Sequence, residues 1–167
     1  MAATYNWAQS HGATPTVVDL GASGNLFNFK DIDDATAANY SSNPVTAGNN
    51  SYEVWIRAHF TDTFNVIDNL QFWMSTDFSP NTGLVLKYKA NNVGAHVPAV
   101  KTTSTVATVS MPTSDPATAN VSIGGSLSGT LVAAGYSDYI VIQLQTTVSA
   151  AAGDSSLAVF TLQYDEQ

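Results

Sequence analysis

Residues 51–61, SYEVWIRAHFT, alternate strictly between two kinds of side chain, and this alternation limits the folds open to the chain. The apolar members all fall on one side of the segment: Val54, Ile56, Ala58 and Phe60. The other side holds the intervening residues: Glu53, Trp55, Arg57 and His59. A period of two is typical of a β-strand with one face in a core. The segment therefore predicts a strand in a sheet that packs against a second layer.

Four further segments repeat the period of two: residues 69–75, 84–90, 139–148 and 157–164. The residues that they are predicted to turn toward the core are Leu70, Phe72, Met74, Leu84, Leu86, Tyr88, Ile140, Ile142, Leu144, Phe160, Leu162 and Tyr164. Shorter candidate strands cover residues 14–20, 26–29, 104–111 and 120–127. The connections are rich in Pro, Gly, Asn and Asp, which favour turns.

Helical patterns are weak throughout the chain. Only residues 31–40, DIDDATAANY, predict a turn or two of helix, because aspartates at the start and alanines inside suit one. The chain is therefore predicted to be all-β, a β-sandwich of jelly-roll type with about eight strands. Residues 14–167 form the predicted single domain, and residues 1–13 are interpreted as an N-terminal arm.

The charge of the chain argues against two classes of partner. The net charge is −8, and the five basic residues are scattered: Lys30, Arg57, Lys87, Lys89 and Lys101. Nucleic-acid binding requires clustered cations, and anionic membranes repel an acidic surface. No run approaches the roughly 20 apolar residues of a membrane span. The first residues carry no secretion-signal pattern, so synthesis in the cytoplasm is expected.

The sequence shows no pattern that is typical of a catalytic or cofactor-binding site. There is no cysteine and no G-x-S-x-G motif, and the three histidines are separated along the chain. The prediction is a protein that is not an enzyme and holds no cofactor. Asp31, Asp33 and Asp34 form an acidic cluster that suits either a calcium site or the start of a helix.

Six residues are candidates for contact with a partner: Tyr5, Trp7, Trp55, Arg57, His59 and Trp73. Trp55, Arg57 and His59 share the outer side of one strand, where either a covering loop or a partner could meet them. Trp73 has the opposite parity from Phe72, so one of the two must leave the core. Tyr5 and Trp7 suggest that the arm packs on the domain or on a neighbour.

Two segments carry a resemblance to a known class of proteins. Residues 41–75 run through an N-P step, a G-x-N-S-Y turn, a W-x-R strand and T-F-N-x-I-x-N-L. Residues 137–167 contain Y-I-V-x-Q-L-Q, an A-G-D loop and a closing F-T-x-Q-Y-D-E. Together they resemble structural proteins of tailed-phage virions, of the capsid decoration or cement type.

The resemblance implies a β-sandwich on the capsid surface of the virion that bridges major capsid subunits. It also implies a homo-oligomer, with a trimer favoured, and it assigns no role to any single residue. Two alternatives stay open. One is a tail- or fibre-associated virion protein, and the other is a lectin-like carbohydrate-binding module that uses exposed aromatic side chains.

Overall fold

The computed structural model describes residues 3–21, 27–34, 41–151 and 157–167, which contain nine strands and no helix. The strands are β1 (Thr4–His11), β2 (Thr16–Gly21), β3 (Val54–Thr61), β4 (Ile67–Thr76), β5 (Leu84–Lys89), β6 (Val109–Ser110), β7 (Gly135–Tyr136), β8 (Ile140–Thr146) and β9 (Val159–Glu166). They form two antiparallel sheets that pack together, so the predicted all-β sandwich is confirmed. The jelly-roll assignment stays a prediction.

Strand β3 lies at the centre of the larger sheet. The order of this sheet is β2-β1-β3-β8-β5-β6, and β7 also pairs with β3. One edge of β3 pairs with β1, whereas β8 and β7 divide the other edge between them. The second sheet consists of β4 and β9. Side chains on β3 therefore face the second sheet on one side and the outside of the sandwich on the other.

The core between the sheets contains the side chains that the alternation predicts. Val54, Ile56, Ala58 and Phe60 of β3 are buried there with Leu70, Phe72 and Met74 of β4. Every predicted core-facing residue of β5, β8 and β9 either belongs to this cluster or packs against it partly buried. Burial of apolar side chains from both sheets is the main force that holds such a sandwich together.

The N-terminal arm expected at residues 1–13 is instead largely a strand. Thr4–His11 forms β1, which pairs with both β2 and β3 inside the larger sheet. Four successive residues of β1, Trp7 to Ser10, are buried. Ala8, Gln9 and Ser10 follow Trp7, so apolar and polar side chains do not alternate along β1 and the period of two that would have predicted it is missing.

Other strand predictions are shorter in the structure or absent. Residues 104–111 contribute only Val109–Ser110, residues 120–127 only an isolated bridge, and residues 27–29 no strand. Residue 26 and residues 35–40 of the predicted helix lie outside the described residues, and residues 31–34 are not helical. One reason is that residues 112–131 do not form a continuous strand but meet the free edge of β4 at separate points. Backbone bonds join Met74 to Pro112, Leu70 to Asn120 and Ile67 to Leu131.

Residues 91–107 cover the outer face of the larger sheet at the Val54 end of β3. A second apolar cluster forms beneath them from Trp55, Val93, Ala107, Tyr139 and Val141. Sequence alternation alone predicts that the outer side of β3 is exposed, but this side is buried at its Val54 end.

Two buried polar side chains fix this covering segment. The Glu53 carboxylate accepts hydrogen bonds from Trp55 Nε1 (3.2 Å), from the Val100 backbone N–H (3.3 Å) and from the Ser104 hydroxyl. Gln143 accepts from the Ser104 N–H (2.9 Å) and donates to the Thr102 carbonyl (2.8 Å). Both side chains are at least 97% buried, so these bonds form away from water.

We expect Glu53→Gln to destabilise the protein by about 1.5–3 kcal/mol, the usual contribution of hydrogen bonds to a buried charged group. The amide turns an N–H₂ group toward donors that need an acceptor. Urea unfolding followed by tryptophan fluorescence measures the change. Asp68→Asn is the matched control, since the Asp68 carboxylate makes no hydrogen bond to the described residues. Equal stabilities of the two variants would contradict the role given to Glu53.

Candidate contact surfaces

The predicted row of Trp55, Arg57 and His59 forms on the outer face of β3. Arg57 lies opposite Ala8 of β1, and His59 lies between Asn6 of β1 and Tyr136 of β7. The covering segment buries Trp55, whereas Arg57 and His59 are only partly buried. The row is thus divided into a buried half and an open half.

Tyr136 lies between the two polar members of the row. Its ring stacks on the His59 imidazole with centroids 4.1 Å apart and planes 13° from parallel. The Cζ atom of Arg57 lies 3.8 Å from the centroid of the same ring. Side chains two residues apart on one face of a strand are about 7 Å apart, which fits one intercalated ring. Both faces of Tyr136 are therefore in contact with the protein's own side chains.

The guanidinium of Arg57 is held by aromatic rings instead of by acids. Besides Tyr136, the Tyr139 ring lies 4.9 Å from Cζ. Within the described residues Arg57 takes part in no ion pair and no hydrogen bond. Its Nε atom is buried without a partner, but its Nη atoms are not buried. We call Arg57, His59, Tyr136 and Tyr139 the Arg57 surface.

Trp55 belongs to the interior of the folded chain. Only 1% of it is exposed, and its ring contacts His96 at 5.1 Å and Tyr139 at 5.6 Å between centroids. A partner could reach Trp55 only after residues 91–107 moved away. Of the two interpretations of this row, the covering loop applies to Trp55.

Tyr5 and Trp7 also pack inward. Trp7 is 6% exposed and contacts Phe72 at 5.8 Å, and Tyr5 contacts Phe60 at 5.7 Å. Burial, with a smaller contribution from neighbouring Tyr164, raises the pKa of the Tyr5 phenol. These two aromatics therefore attach β1 to the core.

Trp73 is half-buried on the smaller sheet, where it lies opposite Thr161 of β9. Its neighbours Phe72 and Met74 both face the core, so the side chain that leaves the core is Trp73. It is the one tryptophan of the three that is more than 9% exposed.

Three exposed aliphatic side chains lie at the opposite end of the strands. Val148 is 90% exposed, Leu157 is 85% exposed and Val159 is 48% exposed. Val148 follows the end of β8, and Val159 begins β9 opposite Thr76 at the end of β4. The Arg57 surface lies toward the other end of β3, near Thr61. We call Val148, Leu157 and Val159 the apolar end.

The acidic cluster of residues 31–34 is spread over separate contacts. Asp31 forms an ion pair with Lys101, Asp33 accepts a hydrogen bond from the Gly12 N–H (2.8 Å), and Asp34 forms an ion pair with Lys30. Among the residues that the structure describes, no group of three or more His, Asp or Glu side chains could hold a metal ion. The three carboxylates thus join residues 31–34 to different parts of the sandwich.

Tyr136, Tyr139 and His96 are not among the six residues predicted for contact with a partner, yet they surround the outer row of β3. Tyr136 stands in a two-residue strand, which is too short to show a period. Tyr139 has the outward parity of Val141 in the 139–148 segment, and this parity is the signal that could have identified it. His96 lies in a loop that carries no local pattern.

Comparisons with protein-family models, curated proteins and solved structures found no match to this chain. No helix in the described ranges is long and apolar enough to cross a membrane.

The stability of the protein should fall as the pH drops below about 6.5, the ordinary pKa of histidine, partly because of His96. Burial lowers the pKa of His96; Asp33 and Glu53 oppose this shift, and His11 adds to it. With a folded pKa below the unfolded one, the unfolded chain takes up the proton first, so acid favours unfolding.

Free energies of unfolding measured at pH 7.5 and 5.5 test this contribution. We expect His96→Asn to show a smaller loss between these two values than the unchanged protein. Comparing each protein with itself removes any packing defect that is independent of pH. An unchanged loss in the variant would show that His96 does not contribute.

Proposed function

We propose that this protein is a structural component of a tailed-phage virion that decorates the capsid by bridging major capsid subunits. The observation that carries the proposal is that one sandwich exposes two separate sets of side chains suited to contact, the Arg57 surface and the apolar end. A bridging protein needs two such surfaces. The resemblance of residues 41–75 and 137–167 to virion structural proteins supplies the partner.

The two surfaces suit different kinds of contact. Three exposed aliphatic side chains at the apolar end favour burial against another protein, since their transfer from water is favourable. The Arg57 surface combines arginine and tyrosine, which are enriched where interfaces contribute most of their binding energy. Neither surface carries the clustered cations that nucleic acid or an anionic membrane requires.

A homo-oligomer, with a trimer favoured, fits this function. Several copies of one surface, arranged by symmetry, match the repeated subunits of a shell. Weak single contacts then add up, because each later contact is intramolecular. On this proposal the protein is made in the host cytoplasm and acts on the capsid surface without catalysis or a cofactor.

One observation favours a second candidate, the carbohydrate-binding module. Sugar rings stack on an exposed aromatic face, and Trp73 is the partly exposed tryptophan that could offer one. The other aromatic positions argue against it. Trp7 and Trp55 are buried, and both faces of the Tyr136 ring are occupied.

Leu157→Asp is expected to weaken binding to phage heads at least tenfold. Burial of a leucine side chain contributes about 1.5–3 kcal/mol, and 1.4 kcal/mol corresponds to a factor of ten. Co-sedimentation of the purified protein with heads that lack it measures the binding. Val109→Asp at the edge strand β6 is the control, because it adds the same charge to a side chain that is 57% exposed. Failure of the unchanged protein to bind heads would refute the proposed function.

Tryptophan fluorescence separates the second candidate from the first. A glycan that stacks on Trp73 should change the tryptophan emission of the unchanged protein. The same change should be absent from Trp73→Phe. A panel of glycans that produces no change would remove the carbohydrate-binding module.

A further inference from the structure

We propose that Arg57 binds a single carboxylate group of a partner protein, that is, an exposed Asp or Glu side chain. The inference rests on the proposed function only for the identity of that partner. The chemistry follows from Arg57 itself, the only arginine of a chain whose net charge is −8.

The charge of Arg57 is not compensated within the described chain. The two ion pairs of the described residues join Lys30 to Asp34 and Lys101 to Asp31, and neither includes Arg57. The acid in the same row of the sheet as Arg57 is Asp19, which lies two strands away across Ala8. Neighbouring strands are about 4.8 Å apart, so this separation is close to 10 Å between backbones.

Asp19 is also engaged elsewhere. Its carboxylate accepts hydrogen bonds from Asn6 Nδ2 (3.1 Å) and from the Gly21 N–H (2.7 Å). The small side chain of Ala8 leaves no group between Asp19 and Arg57 that could pair with the guanidinium. Within the described residues no carboxylate pairs with Arg57, so its guanidinium is available to a carboxylate of another molecule.

The surroundings of Arg57 prepare it for this role. Tyr136 and Tyr139 contact the guanidinium, so less side-chain freedom is lost on binding than at an unsupported arginine. The Nη groups keep N–H donors without acceptors in the described chain and are not buried. Two parallel N–H groups of a guanidinium match the two oxygens of a carboxylate.

The neighbouring charges favour one carboxylate over a polyanion. Asp19 lies in the same row of the outer face, and Asp62 lies beyond the Thr61 end of β3, where it accepts a hydrogen bond from the Thr4 hydroxyl. A phosphate chain would meet these acids as well as Arg57, and like charges repel. A side-chain carboxylate on a protein can reach Arg57 alone.

Nuclear magnetic resonance of the full-length protein can test the inference with acetate as the probe. The isotope-labelled protein has one arginine Nε–Hε resonance, which belongs to Arg57. Burial of Nε should slow exchange of its proton and make the resonance visible. We expect a saturable shift with half-saturation at about 10–100 mM acetate, because such bonds contribute little in water. Sodium chloride at equal ionic strength should not reproduce the shift.

Variants separate direct binding from positioning. Arg57→Lys keeps the charge but loses the fork, so it should lose the saturable response of nearby resonances such as the Tyr136 amide. Tyr136→Ala should weaken acetate binding. Tyr136→Phe keeps the ring over the guanidinium and should bind acetate as the unchanged protein does. A shift that is linear in acetate concentration, or a tighter response to inorganic phosphate, would overturn the inference.

Binding of Arg57→Gln to phage heads distinguishes this inference from the proposed function. If the unchanged protein binds heads and Arg57→Gln binds at least tenfold more weakly, both stand. Equal binding of the two overturns the role of Arg57 in contact with the partner and leaves the capsid proposal intact. Failure of the unchanged protein to bind heads overturns the capsid proposal, while the acetate titration still decides whether Arg57 binds carboxylates.

Discussion

The Glu53 carboxylate is the group on which the outer half of this structure depends. It is 3% exposed, and acceptance of bonds from Trp55, Val100 and Ser104 offsets the cost of burying its charge. Those bonds hold an irregular segment against the sheet, which it otherwise meets through isolated backbone hydrogen bonds such as that from the Tyr139 N–H to the Val93 carbonyl (2.9 Å). Gln143 fixes the same segment from β8, and the apolar cluster around Trp55 forms only because the segment lies there.

The covering segment also determines what a partner can reach. It buries Trp55 and leaves Arg57, His59 and Tyr136 at the open end of the same row. Tyr139 joins the two halves, since its ring contacts both Trp55 and the Arg57 guanidinium, and its hydroxyl lies 3.1 Å from that of Ser10. The Arg57 surface therefore rests on a packed base, so its geometry is set before any partner arrives. Loss of the Glu53 bonds should loosen that base as well as reduce stability.

Sequence periodicity predicted the strands in which apolar core-facing side chains alternate with mostly polar or charged ones. Residues 54–61 and 140–146 expose a clear two-residue alternation, and the structure confirms both their positions and their core-facing side chains. It failed for β1, because Trp7 is followed by Ala8, Gln9 and Ser10, so apolar and polar side chains stop alternating although all four residues are buried. Periodicity could not decide whether Trp55 is buried, and the reason is a different one. This burial depends on contacts between Glu53 and residues about fifty positions away, and no local pattern encodes such contacts.

The contact surfaces were predictable only in part, for the same physical reason. Alternation places Arg57 and His59 on the outside, but it does not show that Tyr136 from a two-residue strand lies between them. That intercalation changes the chemistry of the row. It occupies the tyrosine faces on which a sugar would stack, and it supports a guanidinium that has no acid of its own. An arginine that is held in place yet unpaired is better suited to meet a carboxylate than to stabilise the chain that carries it, since its charge gains no ion pair in the free protein.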